Sequence, residues 1–266
     1  MHKEPLINLA ILLVLLVSAL IAYFIDQGYY VNLISRILIF ALAGVGLNLA
    51  LGYGGMVSLG HAAFFGIGGY ITGIAATHYS ESSEFISGFG GSNEMLLIWL
   101  IVILITTVLA LLIGLISLRT TGVYFIMITL AFAQMVFYFA ISWPNYGGED
   151  GLLMTSRNRF LSMNIDNELG FFSLCFVMLI LSILFTSRII RSRFGSALEV
   201  ARMNDVRLAT VGINPYPIKL TAFIFSAIIT AIAGSLFAEL NRFVSPGMLS
   251  WQMSGEIIIF VLLGGV

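Results

Sequence analysis

Long apolar segments, each about the length of a membrane-crossing helix, alternate with short polar connections along most of the chain. A helix needs about 20 apolar residues to cross the hydrocarbon layer of a bilayer. Seven segments meet that requirement, and an eighth begins near Ile257. The seven are 6–25, 33–51, 57–78, 95–118, 123–143, 169–187 and 220–240. The pattern predicts an all-α fold, a polytopic transmembrane helical bundle of about eight spans that forms one domain over residues 1–266.

The composition supports a membrane protein. Hydrophobic residues make up 59% of the chain and charged residues 9%, and the mean hydropathy is +1.04, which is too apolar for a soluble chain of this size. A net charge of −1 gives no reason to expect a nucleic-acid partner. We therefore expect the lipid bilayer to be the main surrounding of this chain.

One polar stretch, residues 187–219, contains half of the basic residues: Arg188, Arg191, Arg193, Arg202, Arg207 and Lys219. Short loops rich in Lys and Arg stay on the cytoplasmic side of a membrane. The stretch therefore predicts a cytoplasmic loop, and alternating the spans from it predicts a cytoplasmic N-terminus. Residues 80–94 and 142–168 would then lie outside.

Small residues recur at helical spacing in the third and seventh segments. The third has Ser58, Ala62, Gly66, Gly69, Gly73 and Ala76, and the seventh has Ala227, Ala231, Gly234 and Ala238. Small residues let helix backbones approach closely inside a membrane. The ridges indicate tight packing of the bundle, or contacts that slide during transport.

The stretch 52–61 is too rich in glycine and too polar for an ordinary lipid-facing helix. Non-helical backbone at membrane depth needs a cover of protein or a water-filled cavity. The stretch is therefore a short cytoplasmic turn or an interrupted helix beside a translocation route. His61 has no second ligand at metal-binding spacing, so it is interpreted as an interhelical hydrogen-bonding group, with a proton relay as the alternative.

Polar side chains inside spans are functional candidates because an unsatisfied polar group is costly in hydrocarbon. The candidates for a substrate pathway are Asn48, Ser58, His61, Thr129 and Gln134. Thr129 and Gln134 are about 140° apart around a helix, so at most one of them is expected to touch substrate. Glu239 and Glu256 are expected to be hydrated at outer span ends.

Catalytic and nucleotide-binding motifs are absent from the sequence. It contains no G-x-x-x-x-G-K-[ST], H-E-x-x-H or G-x-S-x-G. Cys175 lies among apolar neighbours and is interpreted as a small hydrophobic filler. We expect a non-catalytic protein that binds no metal and no cofactor, and any energy for uphill transport has to come from a gradient or a separate subunit.

Within the basic stretch, residues 196–210 predict a short, weakly amphipathic helix that ends at Gly212, before Asn214 and Pro215. Its apolar residues are Ala197, Val200, Ala201, Leu208 and Val211, interrupted by Asn204. Such a helix suits a groove on another protein. The alternative is a helix that lies on the membrane surface.

Several segments together resemble a known family. They are GYGGMVSLGHAAFFGIGGY (52–70), RTTGVYFIMITLAFAQ (119–134), GGEDGL (147–152), RFGSAL (193–198), VGIN (211–214), AIAGSLF (231–237) and LLGG (262–265). In this order they resemble the branched-chain amino acid permeases of ABC importers, in particular LivM-like subunits. Importers of urea and short amides use similar permeases, so those substrates stay open.

The resemblance implies a multi-pass subunit of the bacterial inner membrane. Its implied partners are a second, LivH-like permease subunit, two cytoplasmic ATPase subunits that use ATP, and a periplasmic solute-binding protein. Residues 188–218 would be the cytoplasmic coupling loop that meets the ATPases. Its candidate coupling residues are Arg193, Gly195, Ala197, Ala201, Asp205, Leu208 and Gly212.

The family pattern also continues past the LLGG segment, so we expect the chain to lack one or two further spans. An independent channel or a secondary transporter is the alternative from another functional class. The sequence offers no paired intramembrane carboxylate in support of it.

Overall fold

Helices form most of the computed structural model, which describes residues 4–25, 27–80, 84–86, 89–90, 93–155, 157–160 and 167–264. The helices are α1 (Glu4–Phe24), α2 (Gly28–Asn48), α3 (His61–Ser80), α4 (Met95–Ser117), α5 (Val123–Ile141), α6 (Glu168–Ile190), α7 (Arg193–Met203), α8 (Asp205–Thr210), α9 (Pro215–Asn241) and α10 (Trp251–Gly264). Two short antiparallel pairs join β1 (Glu84–Ile86) to β2 (Phe89–Gly90) and β3 (Leu152–Leu153) to β4 (Phe243–Val244). The predicted helical class is confirmed.

Five of the helical segments in the described part of the chain are long and apolar enough to cross a membrane. They are Gly28–Tyr53, Met95–Ser117, Val123–Ile141, Glu168–Ile190 and Pro215–Asn241. The first combines α2 with a π-helical turn, Leu49–Tyr53. The other predicted spans correspond to α1, α3 and α10, of which α10 is short and α3 is rich in glycine. The chain is thus a polytopic helical bundle.

Four predicted starts are wrong by four to six residues. Helices α2 and α9 each begin five residues before the predicted span, at Gly28 and Pro215. The third helix begins at His61 rather than at residue 57, because glycines 54, 55 and 60 precede it and Gly55 adopts a φ of +66°. The last helix begins at Trp251 rather than near Ile257. Its first turns are polar, so that the hydropathy pattern alone places its start too late.

Helix α9 lies at the centre of the bundle, against α2, α3 and α4. In an apolar 18-residue stretch of α9, 67% of the residues are buried, whereas in the corresponding stretch of α5 only 17% are buried. Helices α3 and α9 run in the same direction, since His61 contacts Ser226 and Thr72 contacts Ser235.

Two glycines set the closest approach between α3 and α9. A Cβ on Gly68 would lie 1.9 Å from the Ala231 carbonyl oxygen, and one on Gly234 would lie 1.7 Å from that of Phe65. Backbones can meet this closely only where the side chain is a hydrogen. On α9 this helix–helix seam contains Ala231 and Gly234 of the predicted ridge. On α3 the seam is formed by Gly68, whereas the predicted ridge residues Gly66 and Gly73 face Leu249 and Val244, so the ridge predicted for α3 is wrong as a contact with α9.

Residues 188–219 lie at one end of the bundle, called here the basic end. At the opposite end, a loop folds over the last turns of α9. The Asn158 side-chain amide donates a hydrogen bond of 2.5 Å to Glu239 Oε1, and its backbone N–H donates to Oε2 at 3.1 Å. The Arg157 guanidinium lies 4.6 Å from the centre of the Phe171 ring.

The expectation that Glu239 is hydrated is wrong, because this loop leaves the residue 1% exposed. Glu256 is exposed. Ser254, two residues before it, is hydrogen-bonded at the start of α3, so the expected position of Glu256 at an outer span end is wrong. Cys175 is buried, as expected for an apolar filler.

Candidate functional site

A non-helical stretch, residues 54–60, leads from the basic end into the interior of the bundle. The Gly54 N–H donates to the Leu49 carbonyl at 3.2 Å and closes the π-helical turn. Met56, Ser58 and Gly60 are buried. The stretch is therefore the non-helical beginning of the third span, called here the interrupted span. Protein covers its buried positions, which is the condition under which irregular backbone is tolerated at membrane depth, whereas Gly55 and Val57 are exposed.

His61 begins α3 and is fully buried against α9. The Ser226 hydroxyl donates its single hydrogen to the Gly46 carbonyl at 2.6 Å. It can then only accept from His61, whose Nε2 lies 2.8 Å away. The Phe64 and Phe223 rings each lie 5.7 Å from the imidazole, edge to face. The interpretation of His61 as an interhelical hydrogen-bonding group is confirmed.

Ser254 of α10 joins the last described helix to the start of α3. After α9 the chain turns back through β4 and a 3₁₀ turn, Pro246–Leu249, which packs against α3. The Ser254 hydroxyl then donates to the Leu59 carbonyl at 2.7 Å and accepts from the Ala62 N–H at 2.9 Å. One hydroxyl therefore satisfies both backbone groups at the start of α3, where no intrahelical partner exists.

The five candidates for a substrate pathway do not converge on one open route. Ser58 is buried and its hydroxyl accepts a hydrogen bond from the Gly60 N–H. Thr129 is also buried, and its backbone lies against Gly60. These two residues therefore surround the non-helical stretch together with His61. Gln134 is half-buried elsewhere on α5. Three of the five candidates, Ser58, His61 and Thr129, thus lie together in a packed centre around the non-helical stretch.

Asn48 lies apart from that centre, at the junction between α2 and the π-helical turn. It lines an open cavity of about 630 Å³ between α1, α2 and α6 near the basic end. The cavity wall is mostly apolar, and it also includes Tyr53, Thr186 and Arg191.

The basic end carries two short helices instead of the single helix predicted over residues 196–210. Asn204 is extended, with φ −163° and ψ 110°, and its side chain caps α8 by accepting from the N–H groups of Val206 and Arg207. Ser192 caps α7 and Asn214 caps α9 in the same way. An asparagine favours such a cap over a helix interior, which explains the break.

The candidate coupling residues face different ways. Gly195, Ala201 and Leu208 are buried against the bundle, and Gly195 leaves no room for a side chain because a Cβ would lie 2.1 Å from the Ile190 carbonyl oxygen. Ala197 is half-buried, while Arg193 and Gly212 are exposed. The expectation of Ala201 and Leu208 on an outer docking face needs correction, since both point to the membrane-spanning body.

Two polar contacts tie these helices to the spans. Arg202 of α7 donates from Nη1 to the Gly52 carbonyl in the π-helical turn. Asp205 of α8 pairs with Lys219 of α9 at 2.7 Å. The basic end is thus connected directly to the interrupted span and to the central helix.

Sequence reasoning did not single out Ser226, Ser254 or the roles of Arg202 and Lys219. The serines are missed because their partners lie 165 and 192 residues away in the chain. The four-residue spacing of Ser226 and Thr230 on a small-residue face was a usable signal for a polar interhelical contact. Within the described ranges, no group of three His, Cys, Asp or Glu residues could hold a metal ion.

Comparison with known proteins agrees with this architecture. The family model described as "Branched-chain amino acid transport system / permease component" matches residues 29–266. Two similar proteins are named "High-affinity branched-chain amino acid transport system permease protein LivM", from Escherichia coli K12 and Salmonella typhimurium LT2, at 27% and 25% identity. In both cases the alignment covers 96% of this chain and 63% of the relative.

No solved structure matches the chain significantly. The match to the family model nevertheless extends over nearly all of the bundle, from α2 to α10. The chain therefore belongs to the permease component family of branched-chain amino acid transport systems and is a multi-pass membrane protein.

Proposed function

We propose that the chain is a non-catalytic permease subunit of an ATP-driven importer for branched-chain amino acids in a bacterial inner membrane. It would form the translocation pathway with a second, LivH-like permease. Two cytoplasmic ATPases would drive transport, and a periplasmic binding protein would deliver the amino acid. The similarity to the two LivM proteins supports the substrate class.

The contact of α7 with the interrupted span is the observation that carries this proposal. Arg202 donates a hydrogen bond to the Gly52 carbonyl, and a Cβ on Gly55, in the non-helical stretch that follows, would lie 2.9 Å from the Arg202 side chain. A force applied to α7 and α8 would reach the non-helical backbone inside the bundle through this contact. That connection is what a transporter powered by a separate cytoplasmic subunit requires.

The basic end is proposed to face the cytoplasm, together with the N-terminus. Lys and Arg in short loops favour that side. Ile11 and Leu12 of α1 line the same cavity as Arg191, so the first half of α1 lies near the basic end. The loop that covers Glu239 would then face the periplasm.

Uptake by the assembled complex tests the proposal. The chain is reconstituted in proteoliposomes with the second permease, the ATPases and the binding protein of its own organism. We expect saturable uptake of L-leucine, L-isoleucine and L-valine that requires ATP on the side of the basic end and is insensitive to excess urea.

Two results would overturn it. Leucine uptake that persists without the ATPases would identify an independent channel or secondary transporter. Uptake that urea or acetamide abolishes would identify an amide importer instead.

A further inference from the structure

The outer face of α10 carries polar side chains that no part of the described chain covers. Ser254, Ile257 and Val261 form the buried face of this helix. Gln252 and Glu256, four residues apart on the other face, are exposed. In the described residues, no Lys, Arg or His forms an ion pair with Glu256.

Hydrogen bonds fix the depth of this face within the bundle. Ser254 is bonded at the start of α3, His61 is bonded there to Ser226, and Ser226 is bonded to Gly46 of α2. Along α9, Ser226 is seven residues from Lys219, which is about 10 Å at the helical rise. It is fifteen residues from Asn241, or about 22 Å.

Glu256 follows Ser254 by two residues, so it differs from this depth by about 3 Å at most along the axis of α10. The carboxylate and the Gln252 carboxamide therefore lie near the level of the middle of α9, a helix that is long and apolar enough to cross a membrane. Ionisable groups at such a depth face a water-filled cavity or a partner rather than hydrocarbon.

There is room for a ligand next to these side chains. Gly255 lies between them in the sequence, and a Cβ added to it would meet no atom within 4 Å. The face therefore combines a carboxylate, a carboxamide and an open backbone position. A carboxylate in a site of reduced polarity is the natural partner of an ammonium group.

We propose that this face of α10 lines the translocation route and that Glu256 binds the α-ammonium group of the amino acid in transit. Gln252 lies one turn away and offers both a donor and an acceptor to the same ligand. This inference rests on the proposed function, and it adds the recognition of a zwitterion inside the permease. Glu256 would exclude ligands of the same shape that lack the ammonium group.

Thiol accessibility in the assembled complex tests the route. A Gln252→Cys variant is made in a Cys175→Ala background, with Glu256 retained. Leu104→Cys serves as the matched control, because Leu104 is 59% exposed on the apolar outer face of α4. We expect a water-soluble methanethiosulfonate reagent to modify position 252 and to leave position 104 unmodified.

The ligand is tested with two probes of the same carbon skeleton, L-leucine and 4-methylpentanoate, which lacks the ammonium group. We expect leucine to slow the modification of position 252 severalfold and 4-methylpentanoate to have no effect. Glu256→Gln should lower leucine uptake by roughly tenfold to a hundredfold, as expected for the loss of a charged hydrogen bond. Glu256→Asp should restore part of that uptake.

The inference and the proposed function fail in different ways. If the complex transports leucine but position 252 resists the reagent, the face is covered by protein and the inference is wrong. Equal protection by the two probes, or full uptake by Glu256→Gln, also overturns it. If the wild-type complex takes up no branched-chain amino acid, the proposed function itself is wrong.

Discussion

At the scale of single residues, two serine hydroxyls join the four helices around the start of α3. Ser226 connects α9 to α2 and α3, and Ser254 connects α10 to the start of α3. Each hydroxyl makes one hydrogen bond as donor and one as acceptor. The hydrogen bonds of this polar centre therefore stabilise the packing of the helices against one another.

Ser254→Ala should lower the free energy of unfolding by about 1–3 kcal/mol, because the Leu59 carbonyl and the Ala62 N–H lose their partner in a buried place. The thermal midpoint of the purified protein in detergent measures this. Ser250→Ala is the control, since that hydroxyl bonds only to Gly247 in its own turn. Equal midpoints for the two variants would show that the backbone groups find other partners.

Gly68→Ala should cost about 3 kcal/mol or more, because the added carbon meets the Ala231 backbone, which cannot move aside as a side chain can. We expect lower expression and a lower thermal midpoint. Gly44→Ala adds the same carbon in α2, where the nearest atom is 3.7 Å away. Because alanine favours a helix over glycine, a comparable loss in both variants would mean that the close contact with Ala231 is not its cause.

The sequence predicts the chemistry of this centre better than its geometry. It identified His61, Ser58 and Thr129 as polar groups that need an explanation, since each stands out in an apolar span. The pairing of His61 with Ser226 joins two parallel helices with 165 residues between them. No periodicity within either helix contains that information.

At the scale of elements, α7 and α8 present a different outer surface from the one that a single helix would present. The break at Asn204 separates their faces, and the bundle covers Ala201 and Leu208. The exposed apolar side chains are Val200, Met203, Val206 and Val211. A helical wheel drawn over residues 196–210 cannot show this, because it assumes an unbroken helix and no neighbour.

Met203→Glu should therefore abolish co-purification of the ATPases, since a groove on the partner would have to bury an unpaired charge. Met203 is 77% exposed, so the bundle itself should fold normally. Leu153→Glu is the matched control, being 79% exposed at the opposite end. Normal ATPase retention by Met203→Glu would mean that the partner contacts another part of the basic end.

At the scale of the whole molecule, the basic end and the loop over Glu239 should lie on opposite sides of the membrane. Asn204→Cys and Asn145→Cys in a Cys175→Ala background suit a labelling test because both positions are exposed. An impermeant thiol reagent added to intact cells should label position 145 alone. Labelling of position 204 under those conditions would reverse the orientation.

The overall arrangement was largely predictable, since hydropathy marks each span independently of the others. The sequence did not predict which helices pack against each span. In the sequence, for instance, nothing distinguishes Asn158 from other polar loop residues. In the structure it is 2% exposed and donates a hydrogen bond to Glu239. Such contacts depend on which helices meet, and the apolar pattern is alike for all of them.

The parallel packing of α3 against α9 has a consequence for how the protein is made. Helix α3 is not among the described helices apolar enough to cross a membrane by themselves. Its partner Ser226 is synthesised 165 residues after His61. At about 5–20 residues per second, ribosomes would leave α3 without that partner for roughly 8–33 s.

During that interval the glycines and the imidazole of α3 have no α9 to cover them. A nascent chain that stops before α9 should therefore leave α3 poorly inserted, and one that extends beyond α9 should rescue it. A glycosylation or protease-protection reporter placed after Ser80 measures the difference. The central seam thus makes stable membrane insertion of α3 depend on the synthesis of α9.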